Sequence, residues 1–156
     1  MNIALKSITT NLSMSDETIC FSANLYIDNK KIGTVMNRGH GGAHEFSGDW
    51  AAYRAANDWV VHNTEHTNSC DDAIEYMIDE LVHDYNITQM IKRKIKTHLL
   101  ITEKGNNDLF WGKLPKGISV TPEICNLYME KTNPAATVLN MLPIPELVKI
   151  FKDSDT

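Results

Sequence analysis

Hydrophobic and polar residues alternate along the first forty residues of the chain, and this alternation predicts β-strands. The clearest segment runs from Ile19 to Ile27, where every second residue is apolar. That period is typical of a strand with one buried face. An apolar series among Ser, Thr and Asn precedes it, and KIGTVMN follows after the tight-turn sequence Asp28-Asn29-Lys30. The pattern therefore predicts an N-terminal meander of three antiparallel strands.

The middle of the chain changes to the helical period. Asp49 is a suitable N-cap for a helix that runs from Trp50 to about His62. The strongest periodicity follows, because apolar residues recur at intervals of three and four at positions 74, 77, 78, 81, 82 and 85. Thr88 is expected to cap a short third helix through KRKIK.

The last third of the chain mixes strands and helices. HLLITEK and LFWGKL are predicted to pair as strands around a turn at residues 105–108. Pro122 opens a helix, residues 136–139 form a last strand, and Pro145 opens a terminal helix. This order has no regular βαβ rhythm, which favours an α+β fold over a doubly wound one. We predict a single α+β domain over residues 1–156, with the meander packed against several helices.

Composition indicates the class of protein and its cellular location. The chain has 156 residues, of which 42% are hydrophobic and 22% are charged, and these values are ordinary for a globular protein. Its three cysteines are far apart and odd in number, which argues against a disulfide framework. No apolar run approaches the roughly 20 residues that cross a bilayer. We therefore expect a cytoplasmic protein with no membrane partner.

A glycine-rich stretch from Arg38 to His44 separates the predicted sheet from the first helix. Three glycines within four positions let backbone amides turn toward a ligand. The arginine offers a fixed fork of donors, and the two histidines can change charge near neutral pH. The spacing matches neither the dinucleotide fingerprint nor the P-loop, so a steric role at the bend stays open. We predict a ligand- or partner-binding site at Arg38, Gly39, His40, Gly41, Gly42 and His44.

Charge is distributed unevenly along the chain, whose net charge is −5. Residues 49–88 contain nine acidic residues and one basic residue, whereas residues 89–104 have a net charge of +4. A row of carboxylates on a helix can imitate the phosphates of nucleic acid and enter a basic cleft of another protein. The alternative is a solvated helix face whose first acidic residues complement the helix dipole. We predict an acidic partner-binding face at Asp71, Asp72, Glu75 and Asp79.

Other kinds of site have less support. His62, His66 and Cys70 fall at helical spacing, but they follow the predicted end of a helix and do not form HExxH, so no metal site is predicted. No nucleophile stands in a recognisable signature, and we assign no catalytic residue and no cofactor. KRKIK is a single basic cluster in an acidic chain, which disfavours direct nucleic-acid binding.

Both ends of the chain resemble small proteins encoded by phages and prophages. The run FSANLYIDNKKIGTVMNRGHGG is similar to their opening pattern, F-x-A-x-L-Y-x-D-x-K-K-x-G followed by Asn and a glycine-rich turn. The ending NPAATVLNMLPIPELVKIF resembles their closing segment, in which a Val-Leu-Asn strand leads through Leu-Pro into a short helix. The resemblance implies an accessory protein that binds and disables host machinery, and it supplies no catalytic residue.

Three functional hypotheses follow. The preferred one is a non-enzymatic inhibitor that binds a host defence protein, in the host cytoplasm, through the acidic face or the glycine-rich loop. The second is a sponge that sequesters a signalling nucleotide with Arg38 on a phosphate. The third is a small enzyme acting on nucleotide or nucleic acid, with His40 or His44 as the acid or base. Self-association stays open in all three.

Overall fold

Four antiparallel strands begin the fold in the computed structural model, which describes residues 1–64, 73–103, 108–131 and 133–154. Their order across the sheet is β1 (Ile3–Thr10), β2 (Phe21–Ile27), β3 (Lys30–Asn37) and β4 (Glu45–Gly48). Asp28 and Asn29 connect β2 to β3 with φ angles of 47° and 66°, the left-handed pair that a two-residue hairpin turn requires. The predicted meander is confirmed, and β4 adds a fourth strand that the sequence pattern did not predict.

Helix α1 (Trp50–Asn63) begins where the sequence places it. The Asp49 carboxylate accepts hydrogen bonds from the amides of Ala51 and Ala52, each at 3.1 Å. These bonds satisfy two of the amides that a helix N-terminus leaves without a partner.

Helix α2 (Ala73–Lys94) is longer than expected. It passes through Thr88, so the prediction of a separate helix capped by that residue is wrong. Ile87 and Ile91 are buried on the continuing helix. Their burial stabilises the helix by more than a threonine cap would stabilise a break, because each buried aliphatic side chain contributes about 1.5–3 kcal/mol.

A second antiparallel sheet, in the order β6-β5-β7, follows with two more helices. Its elements are β5 (His98–Glu103), β6 (Leu109–Lys113), α3 (Pro122–Lys131), β7 (Ala136–Val138) and α4 (Ile144–Ser154). All five were predicted, although the turn between β5 and β6 lies mostly outside the described residues. The α+β class is confirmed.

The chain forms two compact units, Met1–Tyr85 and Asn86–Thr156, and the boundary falls within α2. The core of the first unit contains fully buried residues from β2, β3, α1 and α2, among them Leu25, Val60 and Ile78. The second unit has its own buried clusters. That residues 1–156 behave as one domain stays a prediction.

A buried asparagine organises the second unit. The Asn140 Oδ1 atom accepts a hydrogen bond from the Leu100 amide at 2.7 Å. Its Nδ2 atom donates to the carbonyls of His98 at 2.8 Å and Ile95 at 3.3 Å. The asparagine of the Val-Leu-Asn segment therefore has a structural role, since it satisfies backbone groups where β5 begins.

Candidate functional site

The glycine-rich loop between β3 and β4 is held by hydrogen bonds to the buried side chain of Asn37. Its Oδ1 atom accepts from the Gly39 amide and from the Thr18 hydroxyl, both at 2.8 Å. Its Nδ2 atom donates to the Gly42 carbonyl at 3.1 Å. The Gly41 amide donates to the Thr18 hydroxyl at 3.3 Å. The amides of Gly39 and Gly41, which were predicted to face a ligand, therefore have partners within the protein.

Gly39 lies against the turn that precedes β2. Its carbonyl accepts hydrogen bonds from the amides of Asp16 at 2.8 Å and Glu17 at 3.1 Å, with a longer contact from Thr18 at 3.5 Å. Its φ angle is +89°, and a Cβ atom added there would stand 2.2 Å from the Met14 carbonyl oxygen. Only glycine fits this position, because both the backbone conformation and the space exclude a side chain.

Arg38 and His40, the two predicted anion-binding side chains of the loop, lie beside carboxylates. The Arg38 guanidinium contacts both carboxylate oxygens of Glu45, at 2.8 Å from Nε and 3.2 Å from the second nitrogen. The His40 Nδ1 atom lies 3.1 Å from a carboxylate oxygen of Asp16. All four side chains are exposed, so these pairs add little stability. Their carboxylates do offset the positive charge that an anionic ligand would need.

His44 connects the loop to α2. Its amide donates to the Glu75 carboxylate at 3.0 Å, and its Nε2 atom lies 3.0 Å from the Asp79 carboxylate. The imidazole is only 3% exposed, whereas the Asp79 side chain is 58% exposed. The ring also packs edge-on against Phe21, with ring centroids 5.2 Å apart. The two predicted sites, the loop and the acidic helix, therefore meet at this residue.

The hydrogen bond to Asp79 determines which imidazole nitrogen carries the proton. A carboxylate oxygen accepts, so the neutral ring donates from Nε2 and keeps a lone pair on Nδ1. Among the described residues Nδ1 has no hydrogen-bond partner, although it is buried. The hydrogen bond to Asp79 and the edge-on contact with Phe21 fix the orientation of the ring.

The acidic face is only partly within the described structure. Asp71 and Asp72 lie outside the described residues. Glu75 and Asp79 contact His44, so they support the loop as well as contributing charge. Asp58 on α1 and Glu80 on α2 are exposed. Partner binding by this face stays a prediction.

Net charge differs between the two compact units. Met1–Tyr85 contains thirteen acidic and five basic residues, for a net charge of −8, whereas Asn86–Thr156 has a net charge of +3. The acidic character of the chain therefore belongs to the unit that contains the glycine-rich loop.

A pocket of about 420 Å³ opens beside the loop. Its walls come from the ends of β1, β2 and β3, the turn before β2, and the loop itself, and include Thr9, Met14, Cys20, Phe21, Met36 and Asn37. Arg38 and His40 stand at the same pocket. The amino-acid sequence does not indicate this pocket, since no local pattern predicts a cavity whose walls come from five segments. A smaller pocket of about 270 Å³ lies between Gly42 and the Glu75–Asp79 stretch of α2.

The histidine side chains are the candidates for metal binding and acid–base chemistry. His62 donates from Nδ1 to the Asp58 carbonyl at 2.6 Å, while His66 and Cys70 lie outside the described residues. Within the described ranges, no group of three or more His, Cys, Asp or Glu side chains is arranged to hold a metal ion. His40 and His44 each have a carboxylate partner, as an acid–base residue would, but the imidazole ring of His44 is buried.

Comparison of the chain with protein-family models, with curated proteins and with solved structures found no match. No helix in the described part of the chain is long and apolar enough to cross a membrane.

Proposed function

We propose that the protein is a non-enzymatic, phage-type accessory protein that binds a basic surface of a host defence protein and inhibits it. The observation that carries this proposal is the pair of hydrogen bonds from His44 to Glu75 and Asp79. They join the glycine-rich loop to the acidic face of α2 in one surface. A surface that is already ordered loses less conformational entropy on binding, which favours affinity.

Charge supports a basic partner. The unit that contains the loop has a net charge of −8. A surface of one sign accelerates encounter with a partner of opposite sign and disfavours partners of like sign. Asp58 and Glu80 are exposed and extend this acidic character.

The loop itself favours a protein partner over a nucleotide. A phosphate would have to compete with Glu45 for Arg38 and with Asn37 for the Gly39 amide. The phage origin and the defence target come from the resemblance of the two end segments, which also supports inhibition as the outcome of binding.

Affinity capture from a bacterial host lysate, followed by binding measurements with the retained protein, tests this function. The variant D58K/E80K reverses two exposed charges that no bond to His44 involves. The matched control E130K/D153K makes the same change in net charge at two exposed positions in the last turns of α3 and α4. We expect the first variant to lose about tenfold or more in affinity, since two opposite-charge contacts become repulsive, and the control to bind like the wild type.

Equal loss in both variants would show that overall charge, and not this face, decides binding. The proposal would be contradicted if the wild type captured no protein beyond those that D58K/E80K also captures. The mass of the purified protein, measured under native conditions, provides a separate check: a retained nucleotide would favour the sponge hypothesis instead.

A further inference from the structure

The pocket of about 420 Å³ beside the glycine-rich loop has a chemistry that the acidic face does not explain. We infer that it receives one apolar side chain from a basic segment of the partner protein. This inference rests on the proposed function, because it assigns a specific contact to the same partner.

The walls of the pocket favour an apolar occupant. Met14, Cys20, Phe21 and Met36 supply sulfur atoms and an aromatic ring, which are polarisable and adapt to side chains of different shape. The volume falls within the range of small-ligand pockets. Leu12, 66% exposed, and Met14, 49% exposed, lie in the same short turn at the pocket, so the apolar contact continues beyond the pocket itself.

Three carboxylates beside the residues that line the pocket favour basic residues on either side of that side chain. The Glu45 carboxylate pairs with Arg38, and the Asp16 carboxylate lies 3.1 Å from the His40 Nδ1 atom. The Glu17 carboxylate lies against Gly41, where it would meet an added Cβ atom at 2.4 Å. These three carboxylates disfavour an anionic ligand and complement Lys or Arg on the partner.

The walls are ordered before anything binds. Asn37 holds Gly39 and Gly42, and the Gly39 carbonyl holds the segment that follows Met14. An apolar side chain that enters this pocket therefore releases water without reorganising the loop.

Nuclear magnetic resonance titration with synthetic peptides tests the inference. The probe is the acetylated, amidated peptide Lys-Arg-Gly-Leu-Gly-Arg-Lys, and its two companions replace Leu with Ser or replace the four basic residues with Glu. We expect the Leu peptide to shift the amide resonances of Cys20, Phe21 and Met36 and to bind about tenfold more tightly than the Ser peptide. The Glu peptide is expected not to bind.

Cys20 permits a direct block of the pocket. Cys125 is buried and burial raises the pKa of its thiol, which lowers its reactivity. In a C70S background, N-ethylmaleimide should therefore modify Cys20, and the modified protein should lose its preference for the Leu peptide. The variant T9Y is designed to fill the pocket without covalent modification. S47Y, which places the same side chain on β4 away from the pocket, is its control.

Persistence of the Leu preference after modification of Cys20 or in folded T9Y would overturn the inference, as would equal binding of the Leu and Ser peptides. Either result leaves the proposed function intact if D58K/E80K still loses the captured partner. Conversely, the protein could bind the Leu peptide more tightly than the Ser peptide while no partner is captured from the lysate. That result would support the assigned role of the pocket and contradict the proposed function.

Discussion

Gly39 and Gly42 have the same φ angle but different surroundings. Both have a φ angle of +89°, which costs a residue with a side chain about 1–2 kcal/mol. A Cβ atom at Gly42 would meet nothing within 4 Å, whereas one at Gly39 would stand 2.2 Å from the Met14 carbonyl. The pair therefore separates the cost of the conformation from the cost of the close approach.

We expect G42A to lower the free energy of unfolding by about 1–2 kcal/mol, and G39A to lower it by at least about 1 kcal/mol more, because the turn must also move. Urea denaturation followed by tryptophan fluorescence measures both. Equal losses in the two variants would mean that the contact between Gly39 and the Met14 carbonyl adds no constraint.

Buried asparagines satisfy backbone groups in both units. Asn37 accepts from the Gly39 amide, Asn57 accepts from the Ile74 amide at the start of α2, and Asn140 accepts from the Leu100 amide. The bonded amide lies from two to forty positions away along the chain. The bond from Asn37 to Gly39 is the local one that asparagine forms in turns. The partners of Asn57 and Asn140 lie 17 and 40 positions away, which explains why sequence pattern could not assign their roles.

Asn140 offers the sharpest test in the second unit. We expect N140A to lower the free energy of unfolding by about 3 kcal/mol, because it removes the buried hydrogen bond to the Leu100 amide and those to two carbonyls. The control N126A changes an exposed residue of α3 and should be neutral or slightly stabilising, since alanine has the higher helix propensity. Thermal denaturation of the two variants compares them, and similar midpoints would remove the structural role of Asn140.

At the scale of the elements, local signals predicted most of the fold. The alternation through Phe21, Ala23 and Leu25 placed β2, and all three are buried. The Asp49 cap placed α1. Two features were not predicted because they depend on contacts between distant residues. Helix α2 continues through Thr88 because its later turns are buried. Strand β4 has only four residues and is stabilised by pairing with β3.

Both halves of the candidate site were predicted, but their meeting was not. His44 bonds to residues 31 and 35 positions later in the chain, and no periodicity within one element contains such a pair. The prediction treated the carboxylates of α2 only as charge directed outward. In the structure Glu75 and Asp79 also orient the loop.

This link between loop and helix can be tested through its dynamics. We expect D79A to remove the acceptor of the buried imidazole and so to accelerate amide hydrogen exchange across residues 38–45. The loss of global stability should be about 1–2 kcal/mol. D58A, which removes an exposed carboxylate of α1, is the control and should leave the exchange unchanged. Exchange at the wild-type rate in D79A would show that the loop holds its conformation without α2.

At the scale of the whole molecule, the separation of charge between the units sets the conditions under which binding should be seen. Exposed charges are screened over about 10 Å at 0.1 M salt. We expect affinity for the captured partner to fall at least about tenfold between about 50 mM and about 300 mM sodium chloride. D58K/E80K should show a weaker salt dependence. Affinity that does not change with salt would assign the binding energy to apolar contacts alone.

The turn before β2 has a consequence for how this fold can change. The amides of Asp16, Glu17 and Thr18 converge on one oxygen, the carbonyl of Gly39. Converging amides of this kind bind phosphate oxygens in other proteins, so the chain fills its own anion receptor. A mutation or a shortened loop that moves Gly39 away would free these amides without adding a new binding group. Loss of the Gly39 carbonyl would therefore expose these amides to a phosphate oxygen.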